Sequence, residues 1–347
     1  MSCGGRFVVL GLVLAWDCVV GAAAGQVAGD EGPAPAAAWE LRLLGVDGPE
    51  RLAEMRAFPK RRPVRLAVVG SSGVSRRRLA RFLDRGSRVV YHGCEDPDAN
   101  THDTQMSLVV FEIARPLGVE IELHAWQAGP SMEDYAEKFA QAGAAAQIVS
   151  LYQSFWGDGT AAITEAIRRS PGALFVSPYV EHGGHPTSKT PQGSACRPWQ
   201  PDTIGHFVTV TPLARRNPGG TILTPSDRGP SDSEAINFIA PSYHANGPGG
   251  TCPSAAVAVA CAAYLVAVWP EVPEPSRIVS LLRETSTIDR AVLVAADAFA
   301  GEAIDRLEGQ IGALRNPPPG HQRKLDAPGA LNLYRAFQRL NAAGPGG

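Results

Sequence analysis

Short apolar runs alternate with amphipathic stretches along most of this chain. Residues 65–70 (RLAVVG) are apolar after Arg65, which predicts a buried strand. Residues 88–92, 119–125, 148–152, 173–180, 204–211 and 236–240 predict further strands. Amphipathic spacing predicts helices at 77–84, 104–114, 132–143 and 160–169, the second of them stopped near Pro116. Residues 254–268, rich in Ala and Val, predict the longest apolar helix, followed by helices at 275–285, 297–314 and 330–340. Strand–helix alternation at this spacing predicts an α/β fold, with a mostly parallel sheet and helices on both faces. Residues 182–203, rich in Gly, Pro, Ser and Thr, read as loop, and no internal repeat is present.

Length and charge narrow the function classes. At 347 residues the chain has room for one large α/β domain or two small ones. A net charge of −2 leaves no basic excess to neutralise phosphates, which argues against a nucleic-acid partner. Lys60-Arg61-Arg62 and Arg76-Arg77-Arg78 are short and read as solvated faces. Residues 1–24 read as a secretory signal: Arg6 supplies the positive flank, residues 7–16 the apolar stretch, and Ala22-Ala23-Ala24 a small-residue cleavage site. That apolar run is too short to span a bilayer, so the expectation is an exported protein, secreted or in the cell envelope, that is not integral to the membrane. Residues 25–63 read as an Ala/Gly/Pro-rich linker or short pro-region with a helical piece at 50–56. Residues 64–341 then form the main domain, with 297–320 as an insertion and 342–347 as a tail.

Of six cysteines, Cys94, Cys196, Cys252 and Cys261 remain after removal of the signal. Cys252 and Cys261 lie on opposite faces of one helix and cannot pair, leaving Cys94 with Cys196 as the pairing to consider. No two cysteines have the close spacing of a zinc site. Gly250-Thr251-Cys252-Pro253 runs straight into the apolar helix and places the Cys252 thiol at its N-terminus. Exposed N–H groups and the helix dipole favour negative charge there, which eases ionisation of a thiol. A buried free cysteine acting as a small hydrophobe is the alternative. Pro253 suits the first helical turn and leaves the Cys252 N–H in place.

The tract around Cys252 resembles the Gly-Thr-Ser-x-Ala-x-Pro nucleophile motif of subtilisin-like serine peptidases, with Cys in place of Ser. Four other tracts in the same order resemble that family. Residues 65–74, ending Gly70-Ser71-Ser72-Gly73-Val74, resemble its first strand, which ends in Asp-Ser/Thr-Gly. Asn100-Thr101-His102-Asp103-Thr104-Gln105 resembles its Asn-Ser-His-Gly-Thr-His. Pro201-Asp202-Thr203-Ile204, Asp227-Arg228-Gly229-Pro230 and Phe238-Ile239-Ala240-Pro241 resemble the stretch before the nucleophile, and Pro328-Gly329-Ala330-Leu331-Asn332 resembles the closing motif. The resemblance implies a three-layer subtilisin-like fold.

For the site, the resemblance implies His102 as general base and Cys252 as nucleophile. Ser71 stands at the acid position, where it can accept a hydrogen bond but cannot stabilise an imidazolium by charge. Asp103 is adjacent to His102 on a helix, where neighbours face different ways, so it is not counted as the replacement. Glu181 falls at the oxyanion position, where a carboxylate repels the developing charge; a one-residue slip brings His182 there instead. Ser154-Phe155-Trp156-Gly157 aligns with the substrate groove, with Trp156 narrowing the main pocket or folding outward. The 25–63 stretch is short for the family's self-cleaved pro-segment. Calcium is common in the family, but Glu95, Asp96 and Asp98 read as a solvated loop, and neither a metal nor a cofactor is expected.

The leading expectation is an impaired pseudopeptidase kept for binding a peptide or protein ligand, or for structure. The alternative is a peptidase or acyl-transferase using a Cys252–His102 pair. A nucleotide-binding reading of Gly70-Ser71-Ser72-Gly73 lacks Gly-x-Gly-x-x-Gly and the following ribose-binding acid, and leaves the later tracts unexplained.

Overall fold

The structure is a computed structural model that describes residues 40–83, 86–152, 160–178, 204–215, 222–223, 235–236, 238–241, 251–287, 305, 308–309, 324–325 and 329–343. Its centre is a parallel sheet. Strands β1 (Val64–Gly70), β2 (Arg88–His92), β3 (Ile121–Gln127), β4 (Ile148–Leu151), β5 (Leu174–Pro178) and β6 (Phe207–Arg215) lie in the order β2-β3-β1-β4-β5-β6. β6 also pairs antiparallel with β7 (Ile222–Leu223) and parallel with β9 (Phe238–Pro241), while β8 (Ala235–Ile236) pairs with β10 (Lys324–Leu325) in a separate ladder.

Central strands of such a sheet are covered on both faces, so their apolar residues need not alternate. β1 shows this: Leu66 and Val68 enter one core, Ala67 and Val69 the other. The second core is closed by α4 (Met132–Ala145) and α5 (Thr160–Arg168), through Tyr135, Phe139, Ile163 and Ile167. The first core is larger. It receives α1 (Gly48–Ala57), the short α2 (Arg76–Leu79), α3 (His102–Ala114), α6 (Thr251–Val268), α7 (Pro275–Thr285) and α8 (Leu333–Ala342). From Ser254 to Val268 α6 is buried all round, as a helix without a polar face must be.

Differences from the expected elements have local causes. α3 begins at His102, two residues early, because Thr101 caps it: Thr101 Oγ1 accepts from the Thr104 N–H at 3.1 Å. The final helix begins at Leu333 rather than at 330. Ala330 is used in bridges to Ile239 and Thr287, and Asn332 then caps the helix by accepting from the Arg335 N–H at 2.9 Å. The single strand expected at 236–240 is two, β8 and β9, in different ladders. The helix expected at 77–84 is a short α turn followed by a 3-10 turn at Ala80–Phe82.

Part of the stretch expected as linker or short pro-region is packed into the first core, through Leu41, Leu43, Leu44, Val46 and Met55. The Arg61 N–H donates to Ala267 O at 2.7 Å, tying this stretch to the end of α6. Cys94, considered above for a disulfide with Cys196, is instead a free thiol that donates to Ala125 O at 3.3 Å. Residues 1–24, most of 297–320 and Cys196 lie outside the described residues. Among the described residues no helix is long and apolar enough to cross a membrane.

The Asn332 cap also makes this N-terminal stretch sensitive to Gly45. Gly45 has φ +82, and a Cβ there would lie 2.6 Å from Asn332 Oδ1. Gly45→Ala is therefore expected to cost about 1–3 kcal/mol of stability, from left-handed strain and a disturbed cap. A urea titration of the two proteins checks this.

Candidate functional site

Three chain segments converge at the carboxyl end of the parallel strands. The first is the bend after β1, residues 71–75. The second is the start of α3, which carries His102 and Asp103. The third is the first turn of α6, which carries Cys252. β4 runs between them and delivers Tyr152 just beyond its last residue.

The bend is laced to α3 by short polar contacts. Thr101 Oγ1 donates to Gly73 O at 2.6 Å, and the Ser75 N–H donates to Thr104 Oγ1 at 2.8 Å. Asp103 closes the arrangement. Its Oδ2 accepts from the Ser72 N–H at 3.0 Å, from Ser72 Oγ at 2.9 Å and from the Gly73 N–H at 2.9 Å. The side chain is almost wholly buried. Burial pushes its carboxyl above the usual range, while the Ser72 donors, the His102 charge and the Gly73 amide pull it down.

Gly70 ends β1 beneath this carboxyl group. A Cβ at Gly70 would overlap Asp103 Oδ1, Oδ2 and Cγ, so the carboxyl group fills the space of a strand-end side chain. Ser71, expected at the acid position, lies in the bend half-buried, and its carbonyl accepts from Gln127 Nε2 at 3.0 Å.

His102 is half-exposed and meets the Tyr152 ring edge-on, with centroids 6.3 Å apart. Cys252 is 7% exposed, and its Sγ donates to Tyr152 O at 3.5 Å. His102 and Cys252 thus both contact Tyr152, the first at its ring and the second at its backbone carbonyl. Burial pushes the Tyr152 phenol well above its ordinary range; the Ser150 hydroxyl opposes this, and the Asp103 and Cys252 charges add to it. The Ser150 and Tyr152 hydroxyls face each other but fall outside hydrogen-bonding geometry. Asp103 Oδ1, Ser150 Oγ and Tyr152 OH are all buried without a hydrogen bond among the described residues. Native interiors rarely leave such atoms unpaired.

The remaining expected site residues, Glu181 and Ser154, Phe155, Trp156 and Gly157, lie outside the described residues, as does His182. Asp96 Oδ1 accepts from the Arg76 N–H at 3.0 Å, and Asp98 pairs with Arg77 at 3.0 Å. Among the described residues no group of His, Cys, Asp and Glu is placed to hold a metal ion.

Sequence reasoning passed over Asp103, Gly70 and Tyr152. Adjacent helical residues do face different ways: His102 is half-exposed and Asp103 is buried. Turning away from His102 is what carries Asp103 to the end of β1. The available signal was a glycine ending a buried strand beside an acidic residue in a helix's first turn.

The sequence matches no protein-family model and no curated protein sequence. Solved structures do match. The A-subunit of the AB5 toxin from E. coli superposes with a TM-score of 0.57 at 14% identity, covering 87% of this chain and 99% of that one. A lanthipeptide protease gives 0.55 at 14% identity, covering 88% and 94%. MycP1 from the ESX-1 type VII secretion system gives 0.51 at 15% identity, covering 86% and 85%. These likenesses establish the fold: α/β, subtilisin-like, with helices on both faces of a parallel sheet.

Gly70→Ala is expected to destabilise the protein by about 1–3 kcal/mol, because the added methyl group must displace a buried carboxyl group held by three donors. Thermal unfolding of Gly70→Ala beside the parent measures this.

Proposed function

We propose that this chain is an exported subtilisin-like domain impaired as a serine peptidase, retained to bind a peptide or protein ligand or for structure. The observation that carries this reading is the state of the nucleophile position. Cys252 stands there, nearly buried, with its Sγ donating to the Tyr152 carbonyl at 3.5 Å. A base drawing that proton away must first break this contact. Two features of the sequence support the same reading: Glu181 at the oxyanion position opposes the charge that acyl transfer develops, and Trp156 adds bulk in the groove.

A second reading is favoured by the buried Asp103 carboxyl beside His102. In it, His102 takes the Cys252 proton and the sulfur attacks a peptide carbonyl carbon. The C–N bond then breaks, with the proton passing to the leaving amine, and water or a second amine releases the thioester. Cysteine depends less than serine on the third member of a triad, so this chemistry is compatible with an altered acid.

Two assays separate the readings. The first measures hydrolysis of a mixed peptide library by the purified chain, with His102→Ala as control. The second measures iodoacetamide modification of Cys252 from about pH 5 to 9, read by peptide mass spectrometry so that Cys94 is scored separately. The impaired reading expects no His102-dependent hydrolysis and alkylation no faster than a model thiol near pH 6. Rapid alkylation below pH 7 that His102→Ala abolishes, or hydrolysis lost in that variant, overturns it in favour of the second.

A further inference from the structure

The edge of the sheet carries a row of titratable side chains away from the candidate site. Val89, Leu123 and Ala125 turn to the first core, so Arg88 and His92 of β2 share the opposite face with Glu122, His124 and Trp126 of β3. On that face His92 Nε2 lies 2.8 Å from His124 Nδ1, and His124 Nε2 lies 2.9 Å from Glu122 Oε1. Arg88 Nε closes the row, donating to Glu122 Oε2 at 3.0 Å. The His92 ring stacks on Trp126, with centroids 4.0 Å and planes 6° apart. Trp126 and His124 are buried, and His92 is half-buried above them.

The end of this row fixes its proton count. Burial raises the Glu122 carboxyl, but the Arg88 and His124 hydrogen bonds outweigh it and hold the group below its ordinary range, so it is a carboxylate that only accepts. His124 Nε2 therefore carries a proton, and a neutral His124 keeps a lone pair at Nδ1 that takes the His92 Nε2–H. One added proton fits, because an imidazolium on either ring still leaves one N–H and one lone pair between them. A second sets N–H against N–H and charges both rings. We propose that His92 and His124 form a one-proton latch, which closes the carboxyl end of β2 onto β3 near neutral pH and opens in mild acid as the second proton enters, lifting His92 off Trp126. Burial first, and the His124 charge second, hold the His92 imidazole below its ordinary value of 6.5. An imidazole depressed in the closed form stabilises that form fully above pH 6.5 and loses the contribution as pH falls through the lowered value. On the two strands that bear the pair, the charged groups that reach it are Glu122 and Arg88, and Arg88 offsets the Glu122 charge. β2 is the last strand of the sheet, so opening it disturbs one ladder alone. The inference goes beyond the proposed function, since it concerns β2 and not the nucleophile position.

Amide hydrogen exchange of residues 88–92 at about pH 7.5 and about pH 5, each corrected for the intrinsic rate, reads the latch. Protection of β2 is expected to fall by about tenfold or more in acid, the factor that linkage gives when one imidazole of ordinary pKa charges only in the open form. Protection of β4 and β5 is expected to hold. In His92→Gln the protection of β2 is expected to stay constant, because the amide can donate to a neutral His124 or turn its oxygen to a charged one. Titration of the two ring signals by NMR, assigned by their loss in His92→Gln and His124→Gln, is the second measurement. The pair is expected to take up its protons in two separated steps, and His92→Gln to leave His124 with one. Protection of β2 indifferent to acid, an equal loss in His92→Gln, or one common midpoint for both rings overturns the proposal. A loss shared by β4 and β5 is general acid unfolding and overturns it too. None of these readouts involves turnover or Cys252 alkylation, so failure here is distinct from failure of the impaired-peptidase reading.

Discussion

The site end of this molecule depends on one buried carboxylate. Asp103 takes three hydrogen bonds from the bend after β1 and lies against the strand's terminal glycine. Without an acceptor there, the buried Gly73 amide would be left unpaired, at a cost larger than the bond's net contribution when made. The contact fixes where α3 starts relative to β1, and so where His102 stands. Thr101 and Thr104 reinforce it from the same helical turn, bonding Gly73 and Ser75.

Cys252 is placed by a different force. α6 has no polar face, and its small alanines let it pack closely against the sheet and against α3. Its position is set by apolar burial along its whole length, with its N-terminus brought to the carboxyl ends of β1 and β4. Tyr152 touches both, edge-on to the His102 ring and bonded through its carbonyl to the Cys252 thiol. The histidine is thus set by polar stitching and the thiol by a hydrophobic helix. That separation lets the residue types at the site change while the scaffold stays.

The scaffold was legible because it is built from periodicity. The apolar run of β1, the amphipathic spacing of α4 and the Ala/Val run of α6 each follow from which faces are covered. The boundaries that moved were those set by caps and bridges: Thr101 extended α3 back to His102, and Ala330 and Asn332 delayed α8. The site was half legible. His102 and Cys252 are motif positions with helix-start geometry of their own. Asp103 was hidden because its role depends on a glycine 33 positions earlier in the chain. No periodicity reports that a missing side chain on one element has been supplied by another. Tyr152 was read only as the end of a strand, and its contacts with histidine and thiol are a product of sheet order.

The central claim is that the Asp103 carboxylate clasps the bend after β1. Amide hydrogen exchange at Ser72 and Gly73 tests it most directly, because both N–H groups are predicted to be bonded to Asp103 Oδ2. The account predicts that these two amides exchange among the slowest of any outside the regular elements. Exchange at Ser72 and Gly73 as fast as in the exposed loop around Glu95 and Asp98 would contradict it.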